Sequence, residues 1–191
     1  RAEAQLPAPR ADPIGQSLVA RPCVHARMVA DALIRPMKTL FLADEAATEA
    51  LGAALAPALS PGIVVTLSGE LGAGKTTLVR GVLRALGHAG RVKSPTYTLV
   101  ELYVVSKLDL YHFDFYRFQD PREWIDAGFR DILHGPNACL VEWPERAQGL
   151  LPPVDAEISL RVEPSGRTAT VKANSPAGER LLASLDSRSP S

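Results

Sequence analysis

The chain has 191 residues, enough for one domain with a full hydrophobic core and a tail. Its formal net charge is zero, so no global basic field argues for nucleic-acid binding through the phosphate backbone. Two distant cysteines, Cys23 and Cys139, point to reduced thiols in a cytoplasmic protein, not a disulfide framework. The four histidines have no metal-ligand spacing, and no apolar run approaches the ~20 residues that span a membrane.

Residues 1–36 differ from the rest. Pro7, Pro9, Pro13, Pro22 and Pro36 punctuate a stretch rich in Ala and Arg with little periodicity. Glu3, Asp12 and Asp31, and the lack of a continuous apolar core, weaken a targeting-segment reading. A disordered extension is expected over 1–36, with room for a short helix from Val24 to Ile34. An upstream-assigned start is the other option, because Met37 opens a clean folded pattern.

The folded domain is expected over 37–186, with a polar tail at 187–191. Thr39-Leu40-Phe41-Leu42 predicts an edge strand. Asp44 suits a helix N-cap, and Leu51, Leu55 and Leu59 fall along one face of the Ala-rich helix behind it. Pro61-Gly62 turns the chain into Ile63-Val64-Val65-Thr66-Leu67, a short β-branched run of the kind found in buried parallel strands.

That strand leads into Gly69-Glu70-Leu71-Gly72-Ala73-Gly74-Lys75-Thr76, a Gly, four residues, then Gly-Lys-Thr. Glycines at 69, 72 and 74 let the backbone take positive φ angles and approach a ligand. Successive N–H groups then form an anion nest, with the positive end of the next helix behind them. Lys75 supplies a mobile charge for outer phosphates, and the Thr76 hydroxyl can ligate Mg²⁺. The nucleotide-contacting stretch is Glu70, Leu71, Gly72, Ala73, Gly74, Lys75, Thr76 and Thr77. Leu78, Val82 and Leu86, flanked by Val79 and Leu83, predict a core-facing helix after it. Strand, loop, helix is the context that marks a nucleotide phosphate site.

Gly87 and Gly90 break the helical pattern. Ser94, Pro95, Thr96, Tyr97 and Thr98 then read in two ways, as a turn or as a switch-like cover over a γ-phosphate. Leu99 to Val105 is strand-like. From Leu108 to Tyr116 the chain alternates, with Tyr111, Phe113 and Phe115 on one face and His112, Asp114 and Tyr116 on the other. Asp114 stands late in its strand, where open α/β sheets bind ligands, or it is a cap or an ion-pair partner of Arg117. A helix is expected from Pro121, with Trp124, Phe129, Ile132 and Leu133 as apolar members and Gly128 weakening its centre.

Ala138-Cys139-Leu140-Val141-Glu142 is an apolar run ending in an acid, the logic of a Walker B strand. Trp143-Pro144-Glu145-Arg146 caps it. Asp155 to Val162 and Arg167 to Val171 predict a β-hairpin at a sheet edge, and Leu181, Leu182 and Leu185 a last helix.

Four ordered blocks resemble the bacterial TsaE (YjeE) family: Gly69 to Thr77, Ser94 to Leu99, His112 to Arg117, and Val141 to Glu145. The resemblance covers about Leu40 to Leu160. It implies a P-loop NTPase fold, α/β with three α/β/α layers, a mostly parallel central sheet and an antiparallel β-hairpin near the C-terminus. It implies an ATPase needed for N6-threonylcarbamoyladenosine at position 37 of ANN-decoding tRNAs, using ATP and Mg²⁺. By position it makes Lys75, Asp114 and Glu142 catalytic candidates, Thr76, Asp114 and Glu142 metal candidates, and Trp143 a neighbour of the nucleotide. Ser94 to Thr98 becomes the switch-like segment. The partners it implies are TsaD and TsaB, with tRNA reached only through that complex and no membrane. Adenine preference is inherited from the family. One departure is Leu102 to Leu108, longer and more apolar than the family's inter-strand turn. The rivals are a small-molecule or nucleoside kinase and a nucleotide-dependent binding module that never hydrolyses.

Overall fold

A computed structural model describes residues 35–105, 108–120, 124, 127–147 and 149–186. Seven strands form one sheet: β1 (Met37–Leu42), β2 (Val64–Ser68), β3 (Val100–Val105), β4 (Leu108–Asp114), β5 (Ala138–Glu142), β6 (Ala156–Glu163) and β7 (Gly166–Ala173). Their order is β1-β7-β6-β2-β5-β4-β3. The four central strands β6, β2, β5 and β4 run parallel to one another, and the pairings at both flanks are antiparallel. Four helices are described: α1 (Glu45–Leu55), α2 (Lys75–Ala85), α3 (Phe129–His134) and α4 (Pro176–Ala183). The sheet is thus the middle of three layers.

Alternation on the central strands supplies both faces of that layer. Val65, Leu67 and Leu140 pack with Leu51 and Leu55 of α1, Leu78 and Val82 of α2, and Leu181 of α4. Val64, Phe113, Cys139 and Val141 point the other way, into a cluster with Phe115, Trp124, Phe129 and Leu133. The helices α1 and α2 meet closely because both carry glycine at the contact. A Cβ on Gly52 would lie 2.1 Å from the Leu78 carbonyl oxygen, and one on Gly81 2.1 Å from that of Glu49.

The expected N-cap is present: Ala47 N–H donates to Asp44 Oδ1 at 2.7 Å. The helix behind it is shorter than the Leu spacing predicted, ending at Leu55. Pro57 has no N–H to continue it, so a 3-10 turn over Ala56–Ala58 follows and Leu59 is extended. Gly128 does not sit mid-helix; it takes φ +67° just before α3, whose first residue is Phe129. The earlier part of that expected helix falls largely on 121–123, 125 and 126, outside the described residues. The C-terminal hairpin also differs in place. β1 pairs with β7 from Met37↔Lys172 to Leu42↔Arg167, so β1 is the edge and the hairpin lies inside. At the opposite edge, β3 exposes Val104 and Leu102. Of the extension expected over 1–36, Arg35 and Pro36 are described and bonded: Arg35 donates to Asn174 Oδ1 at 2.7 Å and the Pro36 carbonyl accepts from Ala173 N–H at 2.9 Å. The rest of it, with the short helix from Val24 to Ile34, and the tail 187–191 lie outside the described residues.

Candidate functional site

The loop from Gly69 to Gly74 joins the end of β2 to the start of α2, at the carboxyl edge of the parallel strands. Gly69 takes φ +137°, and a Cβ there would lie 2.3 Å from the Leu160 carbonyl oxygen. Gly74 takes φ +106° against the Arg167 guanidinium, at 2.4 Å from such a Cβ. Both positions require glycine. The loop therefore turns tightly enough to aim the N–H groups of the first turn of α2 outward.

Lys75, 4% exposed, donates from Nζ to the carbonyls of Gly69 at 2.6 Å and Glu70 at 2.9 Å. Its ammonium also lies 3.9 Å from the centre of the Trp143 ring. Burial lowers its pKa from the ordinary lysine value, opposed by the negative charges of Glu142, Asp114 and Glu145. Trp143 reaches Lys75 because its own backbone is unusual. With φ +57° it leaves the strand line immediately after Glu142, a conformation that costs a non-glycine residue ~1–3 kcal/mol. Its ring also packs 4.9 Å from that of Tyr116.

The two acids stand side by side. Asp114 ends β4, Glu142 ends β5, and they are register partners, each 2% exposed. Glu142 Oε1 accepts from Thr76 Oγ1 at 2.8 Å and from His112 Nε2 at 2.8 Å. Asp114 is held differently. Its Oδ2 accepts from Ser94 Oγ and from Thr96 Oγ1, the latter at 2.6 Å, and its Oδ1 accepts from the Tyr116 N–H at 2.9 Å. The switch-like segment is thus tied to the end of β4 through two hydroxyls. Asp114 N–H also donates to Leu99 O at 3.0 Å, and Leu99 takes φ +63°. The alternative pairing of Asp114 with Arg117 is not what the structure contains. Arg117 instead lies 4.4 Å from the centre of the exposed Tyr97 ring and donates to its hydroxyl at 3.3 Å.

These side chains open on one cleft of about 420 Å³. Its walls are Leu71, Gly72, Gly74, Lys75, Thr76 and Thr77 from the loop and α2, Ser94, Thr96 and Tyr97 from the switch-like segment, and Asp114, Glu142 and Trp143. Tyr116 and Arg117 complete it, two residues that motif reading had not assigned to a site. Their place in the chain, directly after Asp114, was the available signal. Four of the expected site residues, Glu70, Ala73, Pro95 and Thr98, do not line this cleft. Ala73 is fully buried, and Pro95 and Thr98 face a second groove with Arg91 and Lys93 on the outer side of the segment. Glu70 contributes its carbonyl to Lys75. The Thr76 hydroxyl with the Asp114 and Glu142 carboxylates is an all-oxygen donor set that suits a hard divalent cation such as Mg²⁺.

The arrangement has relatives. Residues 42–170 match the family model described as "Threonylcarbamoyl adenosine biosynthesis protein TsaE". The chain is 44% identical over 123 residues to the tRNA threonylcarbamoyladenosine biosynthesis protein TsaE of Haemophilus influenzae, spanning 64% of this chain and 78% of that one. The protein of the same name in Bacillus subtilis is 40% identical over 114 residues, 60% of this chain and 71% of its own length. Among solved structures, YdiB of Bacillus subtilis superposes with a TM-score of 0.67 at 30% identity, covering 81% of this chain and 97% of that chain. With its four motif blocks now gathered at one sheet edge and the family model matched across most of the folded region, the chain belongs to the TsaE family.

Proposed function

We propose that this chain is a Mg²⁺-dependent ATPase that serves tRNA N6-threonylcarbamoyladenosine formation in the cytoplasm, acting on a complex of TsaD and TsaB. The observation that carries the reading is the 2.8 Å contact between Thr76 of the phosphate loop and Glu142 at the end of β5, inside the cleft that Lys75 and Asp114 also line.

ATP enters with its phosphates against the loop amides and the start of α2, which favour negative charge. Lys75 turns its ammonium from the Gly69 and Glu70 carbonyls toward the outer phosphates. Thr76, with Asp114 or Glu142 directly or through water, would hold Mg²⁺, which would supply charge neutralisation for the phosphates. Glu142 orients the water whose oxygen bonds to the γ-phosphorus as the bridge to ADP breaks, giving ADP, inorganic phosphate and a proton. Trp143 walls the cleft above Lys75, and Ser94 and Thr96 hold the segment that covers it.

By the family resemblance, tRNA is reached through the partner complex, and the zero net charge agrees with that route. An ATPase whose output is partner regulation turns over slowly alone. The test is phosphate release from Mg-ATP with and without purified TsaB and TsaD, with Glu142→Ala as control. Release that needs the partners and vanishes in the control is expected. Fast release without partners contradicts the regulatory part. Transfer to an added metabolite with no free phosphate would favour a kinase instead.

A further inference from the structure

On the ATPase reading above, we infer that His112 is a positioning residue for Glu142, holding one carboxylate oxygen so that the other faces the cleft. His112 lies in β4, fully buried, on the same strand face as Asp114 two residues on. Its register partner on β5 is Leu140, two residues before Glu142, so the imidazole reaches Glu142 from below. It does not line the cleft itself.

Two observations fix what the ring does. Nε2 is 2.8 Å from Glu142 Oε1, and Nδ1 has no hydrogen-bond partner among the described residues. An ionised carboxylate only accepts, so Nε2 carries the proton. Thr76 Oγ1 and His112 Nε2 therefore converge on the same oxygen, Oε1. Two donors on one oxygen fill its lone pairs and set the rotation of the carboxylate. Oε2 is then the atom directed at the cleft.

The two donors differ in one respect. Thr76 lines the cleft, within reach of whatever binds there. His112 sits beneath it, so its hold on Glu142 is independent of the ligand. A buried imidazole with an orphaned nitrogen is otherwise a costly choice on a strand whose neighbours are Tyr111 and Phe113. A residue that only packed would have been better as an aliphatic one.

The experiment uses the full chain and three variants: His112→Leu, His112→Gln and Glu142→Ala. Phosphate release is measured with the partners, Mg-ATP affinity by calorimetry, and the folded fraction by circular dichroism. His112→Leu is expected to lose ~10–100-fold in rate, the scale of losing an outer-shell orienting partner, while Mg-ATP affinity and folded fraction hold. His112→Gln, which keeps a donor near the Nε2 position, is expected to recover most of the rate. A wild-type rate in His112→Leu, or a loss that only tracks affinity or folding, overturns the assignment.

A second readout does not depend on hydrolysis. Long-range ¹H–¹⁵N spectra should show His112 locked as Nε2–H in the wild type and as a mixture in Glu142→Ala. A wild-type ring without a proton on Nε2 overturns the proposal. If the wild type releases no phosphate, the ATPase reading fails, and the tautomer spectra still decide the role of His112.

Discussion

The two faces of β4 carry opposite kinds of residue. On one face His112 and Asp114 are buried and polar, each hydrogen-bonded to a partner from another element. On the other, Phe113 packs with Phe129 edge-on at 5.4 Å and with Phe115 at 5.6 Å, in a cluster that also takes Trp124 and Phe118. Both faces are equally dry. The difference is in what holds them: the aromatic face is held by area and dispersion, which tolerate small shifts, and the polar face by directed hydrogen bonds, which do not. The aromatic face therefore serves as the anvil that keeps the carboxyl ends of β4 and β5 in place for the site.

That contrast can be broken from the aromatic side. Phe129→Ala should cost ~3–5 kcal/mol of stability, the usual loss for a buried phenylalanine, read from denaturant midpoints. Mg-ATP affinity of the fraction that stays folded should hold, because Phe129 touches no residue of the cleft wall in ring contact. A variant that keeps its stability but loses affinity would show that the two faces are not separable.

A smaller effect sharpens the comparison through Cys139, fully buried on the aromatic face. Burial pushes its thiol pKa up from 9.0 to about 12. Between those values the folded chain keeps the proton that the unfolded chain gives up. Its contribution is therefore complete below pH 9 and falls as pH rises toward 12, by at most about 1.4 kcal/mol per pH unit. Cys139→Ala should remove that slope from the stability profile, and maleimide at pH 8 should label Cys139 only after unfolding. Prompt native labelling would mean the aromatic face opens.

The features that were readable in advance are those written in adjacent residues. The phosphate loop, the apolar β5 ending in Glu142 and the alternation of β4 each fit within a few positions, where period and glycine placement suffice. Features set by distant pairing were not. The hairpin moved inside the sheet because β1 pairs with β7, some 130 positions away. The grip of Ser94 and Thr96 on Asp114 crosses about 20 residues, and that of His112 on Glu142 crosses 30. Pro57 was present in the sequence and should have shortened α1, but the regular Leu51, Leu55 and Leu59 spacing concealed it. Arg117 invited pairing with the nearest acid, yet Asp114 already had its donors and the guanidinium took the Tyr97 ring.

The central claim is that the polar face of this sheet edge is a Mg-ATP site built on Lys75, and calorimetric titration of Mg-ATP into the wild type and Lys75→Ala tests it most directly. Removing the ammonium takes away charge-assisted contacts of ~1.5–3 kcal/mol each, so Lys75→Ala should bind about one to two decades more weakly. Equal affinity in the two proteins would contradict the account.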